Sequence, residues 1–180
     1  MDRTAKWFIG LQQIKFIVVS LLVIYVYLLP VNLVPMQFQP PNFVLLLAIA
    51  LITRYPQYLP IWVIFTVFLL YDFLLYQPLG LNAFLALIGM AYLRSNRIGI
   101  RQMNFLSEWA FITLFLFLYT CLREVVLFLI LSENTPFFGA LMDLVVSTIY
   151  YPVALVCIAL LFEPRFMERE KIRRFRLGQG

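Results

Sequence analysis

Four charged residues interrupt long apolar stretches of this sequence: Asp72, Arg123, Glu124 and Asp143. An Arg or Asp at the middle of a membrane span costs roughly 2.5–3.5 kcal/mol on insertion scales. Such charges therefore turn toward a bundle interior, where they pair with one another or line a polar pocket. Two aspartates on different spans also raise the chemistry of a proton-sharing dyad, as in intramembrane aspartic proteolysis. The Tyr71-Asp72 pair is the one fragment of such a motif, and no Gly-x-Gly-Asp accompanies it. The sequence has no His, no HExxH, no GxGxxG and no phosphate loop, so the usual hydrolytic, metal and nucleotide chemistries lack their residues. Cys121 and Cys157 sit within apolar runs and read as small buried residues rather than a disulfide or metal pair. The expectation is a non-enzymatic protein without a cofactor or metal.

The elements that must position these charges are helices in a membrane. Hydrophobic residues make up 63% of the 180 positions and charged residues only 13%, about half the share of a soluble domain. Six apolar segments stand out, at 16–34, 42–54, 60–76, 81–93, 107–131 and 140–162. The first and the last two are long enough to cross roughly 30 Å of hydrocarbon, and the third is borderline. The second and fourth are short, which suits tilted spans extended by their flanks or re-entrant segments, and such segments often mark an interior site. The first segment continues into Leu29-Pro30-Val31-Asn32 without a small-x-small cleavage site, so it reads as an uncleaved span. The reading is all-α: a polytopic helical bundle of about six transmembrane helices over residues 1–162, followed by a basic tail over 163–180.

Charge placement gives an orientation. With the N-terminus in the cytoplasm, the inside segments carry Arg3, Lys6 and Lys15, then Arg54, then Arg94, Arg97 and Arg101, then the tail. The turns on the other side, at 35–41, 77–80 and 132–139, carry no Lys or Arg. Six spans with both termini inside thus satisfy the positive-inside rule at every loop. Asp72, Arg123 and Asp143 then fall in the outer half of the membrane, Asp72 about 6 Å and Arg123 about 12 Å below the outer helix ends. The tail, with Arg165, Arg169, Lys171, Arg173, Arg174 and Arg176, reads as an anchor on anionic lipid or a docking segment, not as a nucleic-acid site.

Helical spacing places Tyr119, Thr120 and Arg123 on one face, and Asp143, Ser147 and Tyr150 or Tyr151 on another. Arg123 and Glu124 are neighbours about 100° apart, so Arg123 is expected to find its partner on another helix, at Asp72 or Asp143. Three roles stay open for Asp72. It can line a pocket for a ligand or partner segment, belong to a buried ion-pair network, or accept the free N–H groups of Gly80, Leu81 and Asn82 at the start of the next helix.

Several short motifs occur in a consistent order: Pro41-Asn42 entering a Leu-rich segment, Arg54-Tyr55-Pro56-Gln57-Tyr58-Leu59-Pro60, Asp72-Phe73-Leu74-Leu75-Tyr76-Gln77-Pro78-Leu79-Gly80, Leu93-Arg94, Phe105-Leu106-Ser107-Glu108-Trp109 and Tyr151-Pro152. This pattern resembles the MreD family, the multi-spanning subunit of the bacterial rod-shape machinery, particularly its alphaproteobacterial members. The resemblance implies an inner-membrane scaffold that binds an MreC-like protein and, through it, MreB, RodA and a class B transpeptidase in lateral peptidoglycan synthesis. It implies a helix arrangement similar to the S components of energy-coupling-factor transporters, and it directs attention to Asp72, Pro78 and Gly80. Asp143 lies outside the matched motifs. The alternative function is that of a vitamin-binding S component.

Overall fold

The computed structural model describes residues 3–29, 42–131 and 137–162, which form six helices and no strand. The turn at 35–41, part of the turn at 132–139 and the basic tail at 163–180 lie outside the described residues. The helices are α1 (Arg3–Leu28), α2 (Phe43–Arg54), α3 (Ile61–Leu74), α4 (Leu81–Gln102), α5 (Phe105–Leu131) and α6 (Phe137–Leu161).

The centre of the bundle is α2. Every residue from Val44 to Thr53 is buried. A helix that is apolar all round has no face to give to water, so it is enclosed on every side; here α1, α4 and α6 pack around it. Its polar ends are closed locally. The Asn42 side chain accepts the Leu45 N–H at 3.0 Å, and the Tyr27 hydroxyl of α1 accepts the Phe43 N–H at 3.1 Å. Thr53, the one hydroxyl in the buried run, donates back to the carbonyls of Ile49 and Ala50. Twelve residues make α2 about 18 Å long. The short second segment is thus not lipid-facing: other helices surround it, so its length need not match the bilayer.

Around it, α1 buries a single i, i+4 ridge of Gln12, Phe16, Ser20 and Ile24, while Leu11, Ile14, Val18, Leu22 and Tyr25 remain exposed. The third helix buries Val63, Ile64, Val67, Phe68, Tyr71 and Asp72 against its neighbours and exposes Trp62, Phe65, Leu69 and Phe73. Three stretches are long and apolar enough to cross a membrane, Trp7–Leu28, Phe105–Ile130 and Gly139–Leu161. Most of each faces outward although it is apolar, the pattern of helices solvated by lipid. The molecule is a helical membrane bundle, and the same three segments that the sequence marks as long enough are the ones that qualify.

Boundaries differ in two helices. The fourth apolar segment, at 81–93, is the first half of a 22-residue helix that runs on through Arg94, Arg97 and Gln102. The first helix begins at Arg3, well before the apolar segment at 16–34, and closes at Leu28. Apolar run length marks where lipid is, whereas the backbone stays helical as long as its polar groups gain from it. Between α4 and α5 the Phe115 ring lies against Gly89, so closely that a Cβ there would stand 2.7 Å from its Cζ. Cys121 is exposed on the outside of α5 rather than buried, and Cys157 is half-buried.

Candidate functional site

Asp72 is the pivot of one end of the bundle. Its backbone carbonyl accepts the Gln77 N–H at 3.0 Å, while the Leu75 N–H bonds Tyr71. Tyr76 between them has a positive φ of 54°. This is the C-terminal closure in which a left-handed residue turns the chain back onto the last carbonyls. The Asp72 side chain then opens the next helix. Its Oδ2 accepts the Gly80 N–H at 3.0 Å and the Ala83 N–H at 3.4 Å, and its Oδ1 accepts Asn82 Nδ2 at 2.8 Å. Gly80 is in the left-handed region, with φ 88°, and nothing lies within 4 Å of where its Cβ would be. Conformation rather than crowding favours glycine there. The Pro78 carbonyl accepts the Leu81 N–H, completing the turn.

Of the three roles open to Asp72, the third is therefore the observed one, with one change: Ala83 and the Asn82 side chain, not the Leu81 N–H, join Gly80 as donors. A carboxylate at a helix N-terminus meets both free N–H groups and the positive end of the helix dipole. Asp72 is wholly buried and lies behind Asn82 rather than on a cavity wall.

Polar contacts extend outward from it. Asn82 Nδ2 also reaches Gln77 Oε1 at 2.6 Å, and the Tyr119 hydroxyl donates to Asn82 Oδ1 at 3.2 Å. Arg123 donates to Gln77 Oε1 at 3.3 Å and forms an ion pair with Glu124 at 2.9 Å. The expectation that Arg123 pairs with Asp72 or Asp143 on another helix is thus corrected. Two long, flexible side chains bridge the 100° between adjacent positions, and the cross-helix partner is the neutral Gln77. Asp143 accepts from Ser147 at 3.4 Å on its own helix.

These groups surround a cavity of about 210 Å³ between the N-terminal end of α2 and helices α3 to α6. Arg123, Asp143, Gln77, Asn82, Tyr119 and Ser147 line it, with Asn42, Tyr71, Thr120 and three leucines. Arg123 and Asp143 both face this space, yet no ion pair joins them among the described residues. The shared face of Tyr119, Thr120 and Arg123 is confirmed. Of the α6 stripe, only Asp143 and Ser147 line the cavity; Tyr150 is exposed, and Tyr151 is buried elsewhere.

No family model, curated protein or solved structure matches the chain.

A second polar cluster, at the Arg54 end of α2, was not legible as a site. Glu108, in the first turn of α5, is buried and receives both an Arg54 ion pair at 2.8 Å and the Tyr151 hydroxyl at 3.1 Å. Arg94 donates to the carbonyls of Pro56 and Leu59, pinning the loop between α2 and α3. Trp109 Nε1 donates to the Thr148 carbonyl at 3.0 Å. That carbonyl is four residues before Pro152, which lacks the N–H that would otherwise bond it. The indole replaces the missing donor.

The two clusters differ in kind. The Arg54 end is closed by internal pairs and ties α2, α5 and α6 together. The Asn42 end leaves a cavity with one guanidinium, one carboxylate, amides and hydroxyls facing in. Hydrogen-bonding groups and a charge of each sign line it. Among the described residues, no group of three or more His, Cys, Asp or Glu gathers as a metal site.

Proposed function

We propose that this protein is a non-enzymatic, MreD-like scaffold of the bacterial inner membrane, which binds an MreC-like partner and supports lateral peptidoglycan synthesis. The observation that carries the reading is the unit built by Asp72, Pro78 and Gly80. These residues stand in the sequence element that resembles the family most, an Asp-Leu-Leu stretch followed by Pro-Leu-Gly or Thr-Leu-Gly. Their spacing has a physical reason: the Asp72 backbone carbonyl closes α3 while its carboxylate caps α4, and the turn through Pro78 and Gly80 brings the N–H groups to it. The other quoted motif residues, Arg54, Arg94, Glu108, Trp109, Tyr151 and Pro152, also meet one another or the loops beside them. Such mutual dependence is what holds a set of short motifs in register.

In this reading the chain crosses the membrane several times with both termini in the cytoplasm. The Arg54 and Arg94 end of the bundle is the inner side, where basic residues belong, and the cavity end is the outer side. The exposed apolar faces of α1, α3 and α5 offer surfaces to the bilayer and to a partner's transmembrane helix. Depletion in a rod-shaped host is expected to produce rounded cells and to scatter lateral wall labelling, and affinity purification in mild detergent to recover an MreC-like protein. Normal rods with unchanged wall labelling refute the proposal. The cavity favours a second reading, a small-molecule S component, which requires a stoichiometric vitamin in the purified protein and an energy-coupling partner in place of the MreC-like one.

A further inference from the structure

A second recess adjoins the polar cavity. It is an apolar groove of about 390 Å³ between α5 and α6, lined by Phe117, Cys121, Val125, Phe128, Leu141 and Leu144, with Glu124 and Thr120 at its edge. Thr120 lines both spaces, and the Arg123–Glu124 pair bridges them, Arg123 facing the cavity and Glu124 the groove. The result is a continuous polar-to-apolar surface on two helices suited to crossing the membrane.

We propose that this composite site binds one zwitterionic aminophospholipid, its headgroup in the cavity and an acyl chain along the α5–α6 groove. Charge selects the headgroup. Arg123, held by Glu124 and Gln77, and Asp143 both line the same space with no ion pair to each other among the described residues, and a phosphate joined to an ammonium group complements this pair of opposite charges. At about 210 Å³ the cavity is smaller than most ligand pockets, which suits a small polar headgroup. The amides of Gln77 and Asn82 and the hydroxyls of Tyr119 and Ser147 supply the remaining hydrogen bonds. The groove supplies what a free solute would not use, an apolar track starting at the cavity wall. This site is independent of the scaffold role, which needs no bound lipid.

The test is native mass spectrometry of the full chain released from nanodiscs containing equal parts of phosphatidylethanolamine and phosphatidylglycerol. One retained phosphatidylethanolamine per chain is expected, with phosphatidylglycerol retained at least tenfold less. Asp143→Asn is expected to remove the preference, and Ala140→Phe, which fills the groove from α6, to remove retention, each with wild-type helix content and melting temperature. Arg123→Gln is expected to lower phosphatidylethanolamine retention; should it fail to fold, the other two variants still decide the matter. Equal retention of the two lipids by the wild type overturns the proposal, as does retention that survives both substitutions. Displacement of the lipid by an equimolar amount of soluble glycerophosphoethanolamine also overturns it, because the groove would then contribute nothing.

Discussion

Asp72→Asn changes one atom of a buried residue, and its cost follows from the donors around it. The carboxylate accepts from Gly80 N–H, Asn82 Nδ2 and Ala83 N–H. An asparagine in the same rotamer keeps one oxygen. If that oxygen faces the backbone pair, its NH2 opposes the Asn82 NH2; if it faces Asn82, the two helix N–H groups lose their acceptor. Either way, buried donors lie against donors. A hydrogen bond to a charged group contributes about 1.5–3 kcal/mol, and a buried donor left without an acceptor costs about 1–3 kcal/mol. The 3.4 Å contact to Ala83 is long and counts for little. The expected loss is about 3 kcal/mol, a fall of about 6–12 °C in melting temperature for a chain of this size. Asp143→Asn, which disturbs one 3.4 Å contact to Ser147, is expected to cost less than about 1 kcal/mol. Thermal unfolding of both variants in one mild detergent, followed by circular dichroism, makes the comparison. An Asp72→Asn protein within 1 kcal/mol of wild type, or one no less stable than Asp143→Asn, refutes the capping argument. Under the proposed function, the same substitution is expected to weaken recovery of an MreC-like partner more than Asp143→Asn does, since it loosens the whole turn between α3 and α4.

Two more predictions concern the other end of the bundle. Trp109→Phe is expected to cost about 1–2 kcal/mol in the natural background and close to nothing when combined with Pro152→Ala, because the new backbone N–H takes over the Thr148 carbonyl; a double-mutant cycle in detergent unfolding with no coupling between the sites sinks this account. Glu108→Ala is expected to destabilise by about 2–3 kcal/mol, below the 3–5 kcal/mol of a fully buried broken pair because the Arg54 side chain is 38% exposed and turns to water. Combining it with Arg54→Met is expected to add little, and a fully additive double variant in the same assay refutes a shared pair.

The sequence made the architecture legible wherever a signal was local. Long apolar runs placed α1, α5 and α6. The step from Asp72 to Gly80-Leu81-Asn82 made a cap foreseeable, because a carboxylate eight residues before a helix start lies across one turn. The i, i+3 and i+4 rule gathered Tyr119, Thr120 and Arg123. It failed for Arg123 with Glu124, since it describes where Cβ atoms point and not how far two long side chains bend. Glu108 was overlooked because it stands beside Ser107 at the edge of a span, where an exposed carboxylate is unremarkable. Its partners Arg54 and Tyr151 are 54 and 43 residues distant, and no periodicity within α5 reveals them. Trp109 and Pro152 carried a readable hint, a helix-internal proline whose orphaned carbonyl needs a donor, but only the packing of α5 on α6 names the donor. The length of α2 misled in the same way: run length predicts exposure to lipid only for a helix that touches lipid.

The enclosure of α2 sets an order on how the protein is made. The second helix leaves the ribosome after α1, yet α6, the last of the described helices, packs extensively along its side. Until then a segment of about 18 Å, too short to rest stably across a bilayer alone, has one flank bare. The core therefore closes only when the final helix arrives. Chains that end before Phe137 leave that flank of α2 uncovered.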